Sequence, residues 1–295
     1  MRLDDYLRKI GVNGPLAPTA DTLRRLHAAH RGTFLFENLS IQKGGRVSLA
    51  LDDLERKFLD DGCGGYCFEH NTLFGAALRE LGFTFASLLA RVRRGPPTGW
   101  MRTHMVLRVI VGNEPWLADV GFGGFGLIEP IPLVAGRSFE QGGATYGLRW
   151  EPRSPPSGGS LEAAAGGGRN GREGVWVLSM RDRSTATDLY EFTEDPQTAG
   201  DIEVANHYTS THPASMFRRT LTIQRTTPAE RLVLRSGAIV RLRDGVATEQ
   251  VLERSNLRAA VRDLFGIELP ETLVCELESD DLAGSRASLS GERDR

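Results

Sequence analysis

The hydrophobic pattern of this 295-residue chain changes its period at Gly82, and this change constrains the fold more than any other feature. Before Gly82, large apolar side chains recur at the spacing of an amphipathic helix. After it, apolar residues form the short runs that are typical of strands, at 83–92, 103–111 and 116–120. The sequence therefore predicts an α+β protein in which helices come first and a small β-barrel or sandwich follows.

Local capping signals predict three helices before the change of period. Asp21 or Thr22 is expected to cap the first of them, and Asp52 to begin the second. The Gly64-Gly65 pair permits a sharp turn, so the third helix is expected to start just after it. This helix is expected to stop at Gly82.

Beyond the first strands, the sequence indicates less regular segments. Residues 151–174 are rich in Pro, Ser, Ala and Gly and bury little apolar area, so they are expected to form a flexible insertion in the β part. The polar end, 278–295, is expected to be a disordered tail. Further strands are expected at 146–150, 175–180, 221–223, 232–234 and 238–242, and a helix at 256–265, capped by Ser255 and stopped by Gly266.

Composition excludes several classes of protein. The net charge of −2 gives no general affinity for nucleic acid or for an anionic membrane, so neither is expected as a partner. Three cysteines in so long a chain argue against a disulfide scaffold. No apolar run has the length of a membrane span, and the N-terminus does not have the apolar core of a signal peptide. A cytoplasmic protein is expected.

The segment Cys63-Gly64-Gly65-Tyr66-Cys67-Phe68-Glu69-His70-Asn71 carries the strongest chemical signal. The two glycines place Cys67 at or near a helix N-terminus, where the helix dipole and free backbone N–H groups favour a thiolate. We therefore expect the pKa of Cys67 to lie well below that of a free thiol. The alternative is a buried and inert cysteine, the commoner fate of a free cysteine.

A thiolate nucleophile needs a base, and the base needs a group that orients it. His104 lies at the start of one predicted strand, and Asp119 ends the next one. Antiparallel pairing of these strands would bring the two side chains together. Each residue alone also fits a structural role, as a strand histidine or as a turn aspartate.

Taken together, Cys67, His104 and Asp119 resemble the catalytic residues of the arylamine N-acetyltransferase family in their order and spacing. The resemblance covers roughly residues 3–268. Three further blocks support it, namely Phe36-Glu37-Asn38-Leu39, Asp119-Val120-Gly121-Phe122-Gly123-Gly124 and Asn206-His207-Tyr208-Thr209-Ser210-Thr211-His212-Pro213.

The resemblance implies a three-part fold with a Cys-His-Asp core like that of cysteine proteases. A helical bundle at 1–82 is expected to carry the nucleophile. A β-barrel at 83–195 is expected to carry the histidine and the aspartate. An α/β lid is expected at 196–277, before the tail.

The resemblance also implies ping-pong chemistry. Cys67 attacks acetyl-CoA, CoA leaves, and an arylamine or arylhydrazine takes the acetyl group. His104 ionises Cys67 and relays the proton of the amine, while Asp119 orients His104. Acetyl-CoA is then a co-substrate, and neither a permanently bound cofactor nor a metal is expected. The residues expected to contact substrate or CoA are Phe36, Thr103, Phe122, Gly123, Gly124, Tyr208 and Thr211.

Some of these contacts have a structural alternative. Tyr208 and Thr211 follow from family position alone, and their segment also fits a capped turn between domains. Residues 121–126 match the dinucleotide-binding pattern G-x-G-x-x-G, but Pro130 and Pro132 follow where that fold needs a helix. We interpret the glycines as a close-approach loop beside the active site, whose N–H groups touch CoA phosphates.

Two residues depart from the pattern of the family. Cys63 stands where the family usually has arginine, and Leu35 where it usually has proline. Such an arginine would pair with Glu37, and a buried charge that loses its partner is costly. Either another base satisfies Glu37, or Glu37 is less buried here.

Other functions remain open at this stage. A related amide synthase, which closes a macrolactam from a polyketide thioester on an acyl carrier protein, uses the same triad. A cysteine hydrolase and a non-enzymatic thioester-binding relic are further alternatives. Zinc is improbable, because Cys63, Cys67 and His70 lack the second Cys/His pair that a structural zinc site needs.

Overall fold

A computed structural model describes residues 1–152, 174–182, 185–227, 229–243 and 246–274. Apart from its ends, the segment predicted to be a flexible insertion lies outside the described residues, and so does the predicted tail at 278–295. The division into domains at 82 and 195 stays a prediction. The described elements follow the order that this division expects, with helices first, then strands, then helices and strands together.

The N-terminal part is helical. Its elements are α1 (Leu3–Ile10), α2 (Ala20–Thr33), a two-residue strand β1 (Phe36–Glu37), α3 (Leu39–Gln42), α4 (Leu51–Glu55) with a π-helical turn (Arg56–Asp60), and α5 (Cys67–Glu80).

The boundary of α2 differs from the prediction. Thr19 is the N-cap, and its side chain accepts a hydrogen bond from the backbone N–H of Thr22. Asp21 and Thr22 therefore lie in the first turn rather than at the cap, because a threonine two residues earlier already satisfies the free N–H group. The predicted stop after α5 is confirmed by the positive φ of Gly82, +80°.

The central part is an antiparallel sheet of eight strands. They are β2 (Thr84–Val92), β3 (Arg102–Val111), β4 (Glu114–Ala118), β5 (Ile131–Pro132), β6 (Ser138–Gln141), β7 (Ala144–Pro152), β8 (Gly174–Arg181) and β9 (Ala186–Phe192). Their order is β5-β4-β3-β2-β9-β8-β7-β6, and the sheet forms a nearly closed barrel. The Gln141 side chain accepts the backbone N–H groups of Ile128 and Glu129 and donates to the carbonyl oxygen of Glu129, which links the two ends of the sheet.

The C-terminal part combines helices with a five-stranded sheet. Its elements are α6 (Ala199–Thr211), α7 (Met216–Arg219), β10 (Thr222–Thr226), β11 (Glu230–Arg235), β12 (Ala238–Arg243), β13 (Val246–Val251), a 3-10 turn (Arg254–Asn256) and α8 (Leu257–Phe265). The sheet order is β1-β10-β11-β12-β13, so β1 of the helical part supplies its first strand.

Two predictions about this part are corrected. Ser255 does not cap α8, because it lies inside the 3-10 turn and Asn256 precedes the helix without a side-chain cap. Most of the block at 206–213 belongs to α6 rather than to a capped turn. The predicted stop at Gly266 is confirmed by its φ of +72°.

The buried apolar side chains of the described residues form three cores. One lies between the N-terminal helices and β2–β4 and includes Cys67 itself. The second fills the barrel, and the third lies between the C-terminal sheet and α8. In the part of the chain that the structure describes, no helix has both the length and the apolar character to cross a membrane.

Candidate active site

Cys67 is the first residue of α5, at the position that the glycine turn predicts. A Cβ at Gly64 would overlap the carbonyl oxygen of Leu35, and one at Gly65 would lie 2.7 Å from the Glu69 carboxylate. Only glycine fits at either position, because real Cβ atoms do not approach so closely. The Glu69 carboxylate accepts the backbone N–H of Tyr66 at 3.0 Å and so caps the helix from within.

A buried cluster of charges holds this turn. Lys57 Nζ lies 2.7 Å from Glu69 Oε1 and 3.6 Å from Glu37 Oε1, and both carboxylates are buried. Burial raises the pKa of Glu69 to about 7, although Lys57 acts against the shift. Lys57 is therefore the other base expected for Glu37, which stays buried while Cys63 is exposed.

His104 and Asp119 form a hydrogen-bonded pair. His104 Nε2 donates to Asp119 Oδ2 at 2.8 Å, and Asp119 is fully buried. Burial alone would raise the pKa of Asp119. The charge and hydrogen bond of His104, with hydrogen bonds from Asn71 and Gly121, outweigh it and lower the pKa to about 2. The carboxylate is thus ionised and fixed in place.

Asn71 links the nucleophile helix to this pair. Its Nδ2 donates to Met105 O at 2.8 Å and to Asp119 Oδ1 at 3.1 Å, and its Oδ1 accepts the N–H of Val120. Sequence reasoning assigned it no role. Its spacing of four residues from Cys67 was the available signal, because residues i and i+4 share a helix face.

The loop after Asp119 lies directly against the start of α5. A Cβ at Gly121 would be 2.8 Å from Cys67 Cα and 2.6 Å from Asn71 Nδ2, so only glycine permits this approach. Cys67 Sγ lies 3.8 Å from the carbonyl oxygen of Thr103, the residue before His104. The structure thus brings the three predicted catalytic residues into one buried site.

The hydrogen-bond pattern assigns the proton on His104. An ionised carboxylate only accepts, so Nε2 carries the hydrogen that Asp119 receives. In the described part of the chain, no hydrogen bond engages Nδ1. This nitrogen is therefore the one available to accept a proton.

The environment of the thiol differs from the prediction. Burial raises the pKa of Cys67, and the negative charge of Asp119 raises it further. The N–H groups of Met105 and Phe68 oppose this shift but do not outweigh it. The helix terminus alone does not favour a thiolate, because the cost of removing the charge from water is larger.

A second histidine supports Asp119 from behind. His27 Nδ1 donates to the carbonyl oxygen of Ile128 at 2.7 Å, and its Nε2 accepts the backbone N–H of Asp119 at 3.1 Å. Burial lowers the pKa of His27 to about 4, so this ring is neutral at pH 7. The sequence did not indicate this contact with the aspartate.

The buried side chains of Tyr6, His30 and His70 form a chain of hydrogen bonds. Leu35 O can only accept, so His70 Nε2 donates to it at 3.1 Å. His70 Nδ1 then accepts from His30 Nε2 at 2.9 Å, and His30 Nδ1 accepts from the hydroxyl of Tyr6 at 2.8 Å. Burial lowers the pKa of both histidines, to about 3 for His70.

Three of the predicted contact residues lie next to the triad. The Phe122 ring packs 5.1 Å from the His104 ring, and Thr103 precedes His104 on β3. Phe36 forms a bridge with Gly65, in the turn that leads to Cys67. These three residues therefore lie beside the residues that are predicted to be catalytic, or beside the turn that precedes Cys67.

The other predicted contact residues have different surroundings. Gly123 and Gly124 are buried, and the N–H of Gly124 already donates to Gln224 of β10. Tyr208 and Thr211 lie on α6, where Tyr208 stacks on His212 and Thr211 is exposed. The N–H of Gly124 therefore already has its acceptor inside the protein. Of these four residues, Tyr208 and Thr211 carry the accessible hydroxyl groups.

Comparison with known proteins gives consistent results. A family profile described as N-acetyltransferase matches residues 19–274. Arylamine N-acetyltransferase of Escherichia coli strain K12 is 33% identical over 269 residues, which cover 90% of this chain and 88% of that protein.

Solved structures agree with the sequence comparison. The crystal structure of Nocardia farcinica arylamine N-acetyltransferase matches with a TM-score of 0.83 and 34% identity, covering 96% of this chain and 95% of that one. The Mycobacterium marinum arylamine N-acetyltransferase in complex with CoA matches with a TM-score of 0.77 and 31% identity, covering 93% and 94%.

Proposed function

This chain belongs to the arylamine N-acetyltransferase family and is an acyltransferase, and we propose that Cys67 carries the acetyl group in its reaction. The acetyl group comes from acetyl-CoA and passes to an arylamine or arylhydrazine. His104 acts as the base and Asp119 as its orienting group. One observation supports these roles above all: the His104–Asp119 pair keeps Nδ1 open in the site that holds Cys67 Sγ.

The first half-reaction loads the enzyme. The thiol proton of Cys67 moves to His104 Nδ1, and Asp119 stabilises the imidazolium. The thiolate attacks the carbonyl carbon of acetyl-CoA, and the thioester bond to CoA breaks. The CoA sulfur takes the proton from His104 as it leaves, so the enzyme holds an acetyl thioester and His104 is neutral again.

The second half-reaction transfers the acetyl group. The amine nitrogen attacks the carbonyl carbon of the acetyl-Cys67 thioester, and His104 accepts a proton from that nitrogen. The bond to Cys67 sulfur breaks, and the imidazolium returns its proton to the thiolate. Exchange of one thioester for another is nearly balanced in energy, whereas amide formation runs downhill. Burial of the site limits access of water to the thioester.

The donor and the acceptor are proposed to enter beside the triad. Phe36 and Phe122 offer aromatic faces against which an aryl amine packs. Thr103, Tyr208 and Thr211 remain candidates for contacts with CoA, whereas Gly123 and Gly124 are less suited because they lie against the C-terminal sheet. A cytoplasmic location stays a prediction from the sequence.

Intact-mass spectrometry with acetyl-CoA tests the proposal. The wild-type protein should gain one acetyl group, which an added arylamine removes as the N-acetyl product. Cys67→Ala should gain none, whereas Cys63→Ala should be loaded as the wild type is, because Cys63 is exposed and lies outside the site. Loading of Cys67→Ala would exclude Cys67 as the nucleophile. Loading from an acyl carrier thioester but not from acetyl-CoA would favour the amide synthase.

A further inference from the structure

Two arginines are buried without an acidic partner. Arg31 on α2 is 5% exposed and Arg231 on β11 is 3% exposed. Among the described residues, neither guanidinium makes an ion pair with a carboxylate. Removing a charge from water is costly unless a counter-charge offsets it. Within the described part of the chain, these two guanidinium groups have no carboxylate in direct contact.

Arg31 also has unused hydrogen-bond donors. Its Nη2 donates to Gly123 O at 2.6 Å and to Thr226 Oγ1 at 3.1 Å. Its Nε and Nη1 are enclosed and have no partner among the described residues. A buried donor without an acceptor is itself destabilising.

Two other buried or half-buried arginines, Arg108 and Arg225, differ from Arg31 in having a glutamate partner. Arg108 and Arg225 also enclose an Nε that lacks a partner. Each of them, however, pairs with a glutamate through a terminal nitrogen, Arg108 with Glu194 at 3.1 Å and Arg225 with Glu230 at 3.9 Å. Arg31 thus combines two unused donors with an unpaired charge.

Arg231 adds a second charge to the same neighbourhood. Its Nη1 donates to Gly124 O at 3.0 Å and to the Tyr146 hydroxyl at 2.7 Å, so the two arginines hold adjacent residues of one loop. Burial lowers the pKa of Arg31 to about 10, and repulsion from Arg231 contributes to the shift.

The carboxylate of Asp119 is not a hydrogen-bond partner of Arg31. Asp119 interacts with Arg31 through space, but its oxygens are already taken. Oδ2 accepts from His104, and Oδ1 accepts from Asn71 and from the N–H of Gly121. Its charge is committed to the catalytic histidine.

The space beside Arg31 limits the size of a ligand. Gly126 has no side chain, and a Cβ there would lie 2.9 Å from Arg31 Nη1. The carbonyl oxygens of Gly123 and Gly124 already face the two guanidinium groups and would repel the oxygens of a phosphate or carboxylate. A single-atom anion is the smallest ligand that satisfies the donors and the charge, and it brings only one negative atom near those carbonyl oxygens.

We propose that Arg31, through Nε and Nη1, binds a halide ion, chloride in practice, with Arg231 contributing to its electrostatic attraction. The ion would lie behind the loop that carries Asp119, Gly123 and Gly124. It would stabilise the junction at which α2, this loop and β10 meet, since Arg31 already touches the last two through Gly123 and Thr226.

Urea unfolding in chloride and in gluconate, at equal ionic strength, tests the proposal. If the native state binds one chloride and unfolding releases it, the unfolding constant falls tenfold for each tenfold rise in chloride above the dissociation constant. Gluconate should give no such slope. An equal response to both salts would overturn the proposal.

Variants tie the slope to the site. Arg31→Lys keeps a positive charge but lacks Nε and Nη1, so it should lose the chloride slope. Arg25→Met removes an exposed charge from the same helix and should keep it. A slope that persists in Arg31→Lys would show that the ion binds elsewhere.

Anomalous diffraction from wild-type crystals grown in bromide provides a test that needs no variant. We expect a bromine peak within hydrogen-bonding reach of Arg31 Nε and Nη1. No peak there would overturn the proposal, and water would then be the occupant of the space.

Discussion

The helical bundle and the barrel both bury histidine, and they meet the cost of burial in opposite ways. In the bundle, His30 and His70 have both ring nitrogens engaged in one chain of hydrogen bonds and stay neutral. In the barrel, His104 is equally enclosed but contacts an ionised carboxylate and keeps Nδ1 open. Burial alone therefore does not distinguish the histidine that we propose to act in catalysis. A fixed counter-charge and one unfilled nitrogen do.

His27 shows how narrow the difference is. It also touches Asp119, but through the backbone N–H rather than through the carboxylate. Its other nitrogen is occupied by Ile128 O. His27 therefore holds the backbone of Asp119 in place, whereas the open nitrogen of His104 is available to accept a proton.

The largest expected effect comes from removing the counter-charge. Asp119→Asn should lower kcat/KM by about 10³–10⁴-fold, as in other triads that lose this charge. The reason is that an amide at this position donates to His104 Nε2, which moves the imidazole hydrogen to Nδ1 and removes the base. Steady-state kinetics measures it, with a thermal melt to show that the variant is folded. Activity near that of the wild type would show that the charge of Asp119 is not needed, and His104 would then have only a structural role like that of His27.

The next effect concerns the thiol. In His104→Gln, alkylation of Cys67 at pH 7 should be about a hundredfold slower or more, because only the thiol with a raised pKa remains. Adding Asp119→Asn should move the alkylation midpoint back to lower pH, since the Asp119 charge is one cause of that raised pKa. Unchanged alkylation in His104→Gln would show that Cys67 ionises without His104.

The neutral histidines predict sensitivity to acid. The pKa values of His27, about 4, and His70, about 3, lie below the 6.5 of an unfolded chain, and that of His30 is also lowered. The unfolded state therefore binds protons first. Stability is full above pH 6.5 and is lost as the pH falls towards 4 and 3, by roughly 2 kcal/mol per histidine at pH 5.

Glu69 acts in the opposite sense. Its pKa of about 7 is above the unfolded value, so protonation of Glu69 stabilises the fold as the pH falls below 7. Three histidines outweigh one glutamate, and the free energy of unfolding in urea should fall between pH 7.5 and pH 5. An equal or larger value at pH 5 would mean that the bundle histidines are already charged.

A smaller effect comes from breaking the neutral chain. His70→Leu should cost about 1–3 kcal/mol, because His30 Nε2–H loses its acceptor inside the core. The kcat of the folded protein should change little, since His70 makes no contact with the triad among the described hydrogen bonds. His70→Asn offers an acceptor in place of Nδ1 and should recover part of the loss. A drop in kcat as large as that of Asp119→Asn would instead show that the hydrogen-bond chain of His70 and the His104–Asp119 pair form one proton pathway.

The smallest effect is expected at Cys63. Cys63→Arg should change the free energy of unfolding by less than about 0.5 kcal/mol, because Lys57 already pairs with Glu37 and the position is exposed. Urea titration beside Cys63→Ala, which controls for loss of the thiol, measures it. A gain of 2 kcal/mol or more would show that Glu37 lacks a sufficient partner in the wild type.

The sequence predicted the parts of the site that depend on local order. The glycine pair located the start of α5, and the period change located β2, β3 and β4. Short strands with weak alternation, such as β1 and β5, were not predicted, because two residues carry no detectable period. β9, β13 and α6 were also missed.

The supporting contacts could not be predicted, because they join residues far apart in the chain. Asn71 meets Asp119 only after the barrel has formed, and Lys57 meets Glu37 across a turn of the bundle. The direction of the Cys67 pKa was wrong for the same reason. Burial is a property of the assembled core, whereas the helix terminus is visible in the sequence.

The short strand β1 has a consequence for the time course of synthesis. Phe36 and Glu37 pair with Gln224 and Ile223, and Asn38 donates to the carbonyl oxygen of Thr220, 182 residues later. At ribosomal rates of about 5–20 residues per second, the partners emerge roughly 10–40 s after the turn that holds the nucleophile. Until then β1 pairs only with the turn at Gly65, and its other edge has no strand partner in the nascent chain. A ribosome-bound fragment that ends before β10 should therefore be readily cleaved by protease near residue 36, and it should become resistant once β10 has emerged.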